Sequence, residues 1–262
     1  MARALRKTVG VMGAGAGAVA LLGLGYAGVT WYRYGKVARS GRRDPLVDRF
    51  MPKYEVREVH QTRVDAPAEV TFGVAYDLDL RRSTIVRAVF TGRELLMGGE
   101  RSKGEPVGGF LAEVLALGWC ILAEEPGREL VIGTVTQPWK ANVEFLSLLP
   151  DAFAAFKEPG YAKIIWTFAV KPQGEKASLF STETRVVTTD PESRSRFRRY
   201  WSVFSPGVLL IRYETLRLVR REAERLASLE PTPITEITLA GQLVPELSVV
   251  KEAAGSLSPE PS

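Results

Sequence analysis

Two residues that each occur once limit the chemistry of this chain. Its 262 residues contain one histidine, His60, and one cysteine, Cys120. A single cysteine excludes an intramolecular disulfide and a cysteine-based metal cluster, and a single histidine excludes zinc motifs that need a histidine pair. A Ser-His-Asp or Cys-His mechanism would have to use His60, whose side chain titrates near neutrality. His60 is thus the candidate general base, and the competing interpretation is a structural histidine on a strand.

A strand predicted over residues 178–189 carries four polar side chains in alternation. Thr182 and Thr184 share one face, and Glu183 and Arg185 share the other. The threonine face is the more apolar of the two when its neighbours are included, so we expect it to face the interior. The glutamate and arginine are then expected to form a structural ion pair on the outer face.

Large aromatic residues complete the predicted ligand-binding set, which contains no catalytic residue and no metal or cofactor site. They fall on the last strands and on the final helix, where they form either a pocket wall or plain core. The predicted ligand-binding residues are Trp166, Phe168, Thr182, Thr184, Phe197, Trp201 and Phe204.

The elements that must position these residues are indicated by periodicity and by capping residues. Alternating or β-rich runs predict strands over 54–64, 119–124, 129–136, 161–170 and 178–189, with two hairpin turns among them. Helices are predicted from Asp65 to about residue 76, over 83–96, 110–117 and 150–156, and from Asp190 to about residue 229. The sequence Ser205-Pro206-Gly207 should kink or break the last helix.

The N-terminal segment predicts a transmembrane helix. Residues 8–32 form a run of 25 residues without a charge, and about 20 apolar residues suffice to cross a bilayer core. Tryptophan and tyrosine end the run, where aromatic rings favour the membrane interface. A cleaved signal peptide is the competing interpretation, but its apolar run is shorter. Gly13 and Gly17 form a G-x-x-x-G pair through which two such helices could self-associate.

The net charge of +5 belongs to this N-terminal region and not to the body of the protein. Residues 1–50 carry a charge of +7, and residues 51–262 carry −2. A basic patch that flanks an apolar run indicates a membrane partner, and we predict no nucleic-acid binding. More basic residues follow the run than precede it, which predicts a single-pass cell-membrane protein with its globular part on the cytoplasmic side.

Composition divides the chain into four parts. Residues 1–32 form the N-terminal tail and transmembrane helix, and residues 33–52 form a basic linker. Residues 53–229 form one domain with a core, and residues 230–262 form a Pro-rich, poorly ordered tail.

Three stretches give this domain a resemblance to a known family. They are VDAPAEVTFGVAYDLDL after the first strand, LFSTETRVVTTD on the last strand, and DPESRSRFRRYWSVFSPGVLLIR at the start of the last helix. In these stretches the chain resembles the START-like superfamily, also called the polyketide cyclase or SRPBCC group. The resemblance implies an α+β helix-grip fold, in which a curved antiparallel sheet wraps around a long C-terminal helix. Only five strands are evident, where such domains usually have about seven.

The resemblance also implies a function. Domains of this type enclose a pocket between sheet and C-terminal helix and mostly bind a hydrophobic small molecule or lipid, while a minority are enzymes. We therefore expect a membrane-anchored binding domain. The alternatives are a cyclase or aromatase that uses His60 or a pocket carboxylate, and a ligand-free scaffold tethered to the membrane.

Overall fold

The computed structural model describes residues 44–80, 83–98 and 109–229, and also Gly25, Val29, Ala38 and Arg39. Strands and helices are interspersed along these residues, and one long helix ends the described part. The strands are β1 (Ala38–Arg39), β2 (Lys53–Tyr54), β3 (Val56–Val64), β4 (Cys120–Glu125), β5 (Glu129–Thr136), β6 (Phe145–Leu146), β7 (Ala162–Pro172) and β8 (Ser178–Thr188). The helices are α1 (Pro45–Asp48), α2 (Ala68–Tyr76), α3 (Thr84–Met97), α4 (Phe110–Ala116), α5 (Pro150–Ala155) and α6 (Pro191–Leu229).

The described strands form an antiparallel sheet of six strands in the order β3-β8-β7-β5-β4, with β6 paired to β5, and a separate pair of β1 and β2. Residues 162–169 of β7 each lie between a β5 and a β8 residue, so that Trp166 is flanked by Ile132 and Thr184. Because side chains alternate along a strand, these three residues share one face. The short β6 is the sixth strand that the sequence pattern does not resolve.

The face that carries Trp166 is the inner face of the sheet, and the second half of α6 lies over it. Phe168 and Phe180 of the sheet belong to the same buried cluster as Leu216 and Val219 of α6. The α+β class with an antiparallel sheet and a long C-terminal helix is therefore confirmed, in the helix-grip arrangement that was predicted.

The opposite face of the sheet is also buried, which the sequence analysis did not foresee. Val47, Phe50 and Met51 pack there against Ile165 of β7 and Phe153 of α5. Asp44 caps α1 by accepting a hydrogen bond from the backbone N–H of Val47 at 3.4 Å. Val47, Phe50 and Met51, which fall in the predicted linker, therefore pack in the core beside the sheet.

The long helix α6 continues through Pro206, so the predicted break does not occur. Proline removes one hydrogen bond from the helix. Packing against α3 holds the neighbouring turns instead. The two helices cross closely here, because a Cβ added at Gly207 would lie only 2.9 Å from Cγ1 of Val89. The absence of a side chain at Gly207 permits this close crossing.

No helix within the described residues is long and apolar enough to span a membrane. The predicted transmembrane helix, residues 8–32 with Gly13 and Gly17, lies outside the described residues apart from Gly25 and Val29. The predicted tail, residues 230–262, lies outside them as well.

Candidate functional site

The inner face of the sheet carries two buried hydroxyl groups under α6. Thr182 and Thr184 of β8 are 0% and 4% exposed. They face the interior, as the alternation along the strand predicted. The indole Nε1 of Trp166 donates a hydrogen bond of 2.5 Å to Oγ1 of Thr182. The edge of this indole is therefore held in a fixed orientation beside the two threonines.

A charged side chain from α6 meets these threonines. Arg212 is 4% exposed, and its guanidinium donates one hydrogen bond to Oγ1 of Thr182 at 3.3 Å and another to Oγ1 of Thr184. Its Cζ lies 5.3 Å from the centroid of the Trp166 ring, a distance at which a cation is attracted to an aromatic face. Two hydroxyls and one ring thus surround a full positive charge inside the domain.

Arg212 has no carboxylate partner among the described residues, since none of their ion pairs includes it. Its Nε is buried without a hydrogen-bond partner. Burial lowers the pKa of Arg212 to about 10, against which the more distant charge of Glu58 acts weakly. Arginine still carries its proton at neutral pH, so the site holds a buried cation that forms no ion pair with the described residues.

His60 lies beside this cation. It is the register partner of Thr182 on the neighbouring strand, and its ring stacks edge-on against Tyr213 of α6 with the centroids 5.2 Å apart. Burial, and then the charge of Arg212, lower the pKa of His60. Its Nδ1 is buried and has no hydrogen-bond partner in the described part of the chain. At neutral pH His60 is therefore uncharged and can accept a proton or a hydrogen bond.

The structure brings together four of the seven predicted ligand-binding residues. Trp166 and Phe168 lie with their ring centroids 5.0 Å apart, next to Thr182 and Thr184. Phe168 in turn stacks on Phe180 at 6.1 Å. This end of the sheet offers an apolar aromatic wall beside the charged group.

The other three predicted residues lie elsewhere on α6. Phe197 and Trp201 stack at 5.5 Å and pack in a separate cluster with Val56 and Val186. Phe204 is half-buried and stacks on Tyr200 at 4.9 Å. Phe197 and Trp201 thus belong to a different cluster from Trp166 and Phe168, on the part of α6 that precedes Arg212. Their predicted role in ligand binding is untested.

Sequence analysis missed Arg212, although a signal for it was present. The buried stripe of α6 runs through Trp201, Ser205, Arg212 and Val219 at helical spacing. An arginine on that stripe must be buried when the helix packs. The helix carries nine arginines, and residue type alone does not distinguish Arg212 from the others.

Glu183 and Arg185 form the structural ion pair that was predicted, but on a buried face. Nε of Arg185 lies 2.5 Å from Glu183, and its terminal nitrogen lies 2.5 Å from Asp48 of α1 and donates to the Met51 carbonyl at 3.0 Å. Glu183 also receives two hydrogen bonds of 2.8 Å from Arg57. This network holds residues 48–51 onto the sheet and faces away from the Arg212 site.

Comparisons with known proteins give only distant likenesses. No family model matches the chain, and no curated protein matches it. Among similar solved structures, the Zhui aromatase/cyclase from Streptomyces sp. R1128 is 13% identical, with coverage of 65% of this chain and 94% of the other and a TM-score of 0.24. A START superfamily protein from Mycobacterium smegmatis is 14% identical, with coverage of 66% and 97% and a TM-score of 0.24. CalU16 from Micromonospora echinospora is 15% identical, with coverage of 74% and 96% and a TM-score of 0.26.

Proposed function

We propose that this protein is a membrane-anchored binding domain for a small molecule with an apolar body and an anionic group. The ligand would lie between the inner face of the sheet and α6. The observation that carries the proposal is Arg212, a buried guanidinium that has no carboxylate partner among the described residues. Its hydrogen bonds to Thr182 and Thr184 leave Nε without a partner.

An anionic ligand would compensate this charge. A buried, unpaired ion is destabilising by several kcal/mol even after the protein relaxes. A carboxylate or phosphate can accept two parallel N–H bonds from a guanidinium, the geometry that arginine supports best. Trp166 and Phe168, beside the guanidinium, supply an apolar surface for the rest of the ligand. A fatty acid and an aromatic acid both have these two properties.

The anchor is part of the same proposal. Residues 8–32 would span the cell membrane once and hold the domain at its cytoplasmic surface. Self-association through Gly13 and Gly17 would bring two domains together. A domain held at a bilayer has direct access to apolar acids that partition into lipid, which fits the ligand class.

A catalytic function is the second candidate, and His60 is the observation that favours it. Its unpaired Nδ1 and its depressed pKa suit a general base, and it lies next to Arg212, which could stabilise negative charge on a carbonyl oxygen. Such a pair would remove a proton from the carbon beside that carbonyl. Deuterium uptake from D2O into bound 1-naphthylacetone tests this role in wild type and in His60→Gln. The variant should lose the uptake and keep the binding. Equal uptake in the two proteins would contradict the catalytic role.

The binding proposal is tested with the full chain in lipid nanodiscs and the soluble probe 1-naphthoate. We compare wild type with Arg212→Met and with Arg221→Met, which removes an exposed arginine from the same helix. The neutral 1-naphthamide controls for apolar binding alone.

We expect Arg212→Met to weaken naphthoate binding at least tenfold, Arg221→Met to leave it unchanged, and the amide to bind weakly to all three proteins. Equal affinity of wild type and Arg212→Met would contradict the proposal. Failure of every protein to bind either probe would favour the ligand-free scaffold.

A further inference from the structure

A cavity of about 240 Å³ opens on the outer face of the sheet, on the side opposite the Arg212 site. Its walls come from three parts of the chain: residues 50–53, the end of α5 with the residues that follow it, and strands β7 and β8. Phe50, Met51 and Phe156 give it an apolar surface. Residues 50–51 lie here because the Arg185 network holds this segment against the sheet.

Lys163 of β7 lines this cavity and is almost completely buried. It is 7% exposed, and its Nζ donates one hydrogen bond of 3.0 Å to the carbonyl of Ala154. Nζ also lies 4.8 Å from the centroid of the Phe153 ring. An ammonium group has three N–H donors, so two are left for another acceptor. No ion pair found among the described residues includes Lys163.

The charges around the cavity are all of one sign. Lys53 and Lys157 line it together with Lys163, and none of the described lining residues is acidic. The hydroxyl of Thr188, another lining residue, donates to Glu55, whose charge is already paired with Arg194 at 2.7 Å. Burial, and then the charge of Lys157, lower the pKa of Lys163 to about 8, which shows that its positive charge is poorly compensated. At neutral pH most of the group is still protonated.

We propose that this outer cavity is a second binding site, which takes the carboxylate of a small apolar acid onto Lys163. The carboxylate would accept the two remaining N–H groups of Lys163, and its hydrocarbon part would lie against Phe50, Met51 and Phe156. Lys53 and Lys157 at the cavity would attract the anion from solution. The site is independent of the Arg212 site, because it uses the opposite face of the sheet.

A carboxylate fits this cavity better than a phosphate does. Only one of the three lysines is buried, and phosphate, with three or more acceptor oxygens and a higher charge, needs more donors than Lys163 can supply. The apolar walls favour a hydrocarbon chain over a sugar or a nucleotide. The volume of about 240 Å³ is below the range of drug-sized pockets, which limits the ligand to a short chain or a single ring.

Isothermal titration of the full chain in nanodiscs with hexanoate tests the site, with empty nanodiscs subtracted and hexanamide as the neutral probe. Four variants are compared with wild type. Lys163→Met removes the buried charge, and Lys171→Met removes an exposed charge from the same strand. Ala154→Leu fills the cavity rim without a change of charge, and Arg212→Met reports on the inner site. Ala154→Leu keeps the test valid even if Lys163→Met fails to fold.

We expect Lys163→Met and Ala154→Leu each to weaken hexanoate binding at least tenfold, and Lys171→Met to stay within twofold of wild type. Hexanamide should bind at least tenfold more weakly than hexanoate. Hexanoate binding that survives both Lys163→Met and Ala154→Leu, or that is absent from wild type, would overturn the inference. Loss in Arg212→Met alone would place hexanoate in the inner site, which overturns this inference and supports the proposed function.

Discussion

Two buried arginines lie against opposite faces of one sheet, and the same substitution should change the stability of the protein by very different amounts at the two positions. Arg212 of α6 faces the inner side of the sheet, where its partners among the described residues are two hydroxyls and the Trp166 ring. Arg185 of β8 lies on the outer side and is paired with two carboxylates. Methionine matches the unbranched stem of arginine as far as Nε and carries no charge. We predict that Arg212→Met leaves the stability of the ligand-free protein nearly unchanged and that Arg185→Met destabilises it strongly.

The expected effect at Arg212 follows from its burial. A pKa lowered from 12.5 to about 10 corresponds to a penalty of about 3 kcal/mol for holding the charged form. Two hydrogen bonds from a charged donor stabilise the folded protein by about 1.5 kcal/mol each, which nearly offsets the cost of burying the charge. Methionine removes both and keeps the apolar contacts of the side chain. We expect the free energy of unfolding to stay within about 1 kcal/mol of wild type.

Arg185 has a different balance. Burial lowers its pKa, but the hydrogen bonds to Asp48 and Glu183 outweigh burial, so the pKa is raised overall. Removal of one partner from such a network leaves carboxylates without compensation and is destabilising by about 3–5 kcal/mol. Arg57 still pairs with Glu183, so the main loss should be the attachment of residues 48–51.

Urea unfolding of the full chain in detergent micelles, followed by circular dichroism, measures both variants against wild type. A loss of several kcal/mol in Arg212→Met, comparable to that of Arg185→Met, would refute this account. It would mean that Arg212 is a structural residue whose partners in the fold already compensate its charge.

Three further predictions concern the rest of the domain. Burial, and then the charges of Asp44 and Glu125, raise the pKa of Glu129 to about 7. The folded protein therefore favours the protonated carboxyl group, and the stability that Glu129 contributes is present below about pH 4.5 and lost as pH rises towards 7. Urea unfolding should find Glu129→Gln more stable than wild type at pH 8 but not at pH 4.5, and no difference at pH 8 would contradict this. Asp190 accepts hydrogen bonds from the hydroxyl of Ser193 and from the backbone N–H groups of Gly160 and Ser193, which lower its pKa. Asp190→Ala should therefore lower the free energy of unfolding by about 1–2 kcal/mol at pH 7. The difference from wild type should shrink as pH falls below about 4, because the carboxylate of Asp190 becomes protonated there. A difference that stays constant with pH would show that the charge of Asp190 is unimportant. Trp201→Ala should destabilise the protein by about 3–5 kcal/mol in a thermal or urea melt, because Trp201 is buried against Phe197, and a loss below 1 kcal/mol would indicate that it borders a space rather than core.

Helix and strand positions were predictable where the sequence carries local signals. Ser83 caps α3 and Gly98 ends it in a left-handed conformation, as the spacing of these residues indicated. Asp190 and Pro191 likewise begin α6 where predicted. Such signals act over a few residues, so one sequence is enough to reveal them.

The covered outer face was not predictable in this way. Val47, Phe50 and Met51 form no period, and their burial depends on contacts with residues much later in the chain, such as Leu122 and Ile165. The same holds for Pro206, which local propensity predicts to break α6. There, packing of the flanking turns prevails over propensity.

The site itself was half predictable. Alternation along β8 placed Thr182 and Thr184 on the inner face, since a strand has a strict period of two. The burial of Arg212 was not predictable, because an arginine on a helix is normally assigned to the solvated side. Only the packing of α6 on the sheet shows that this arginine lies on the buried stripe.

The measurement that tests the central claim most directly is mass spectrometry of small molecules extracted from the purified full chain. Wild type and Arg212→Met are prepared in parallel from the same cells, and Arg221→Met serves as the control. The account predicts an acid with an apolar body bound to wild type and to Arg221→Met, and at least tenfold less of it in Arg212→Met. Equal amounts in all three proteins, or no bound acid in wild type, would contradict the claim that Arg212 binds an anionic ligand.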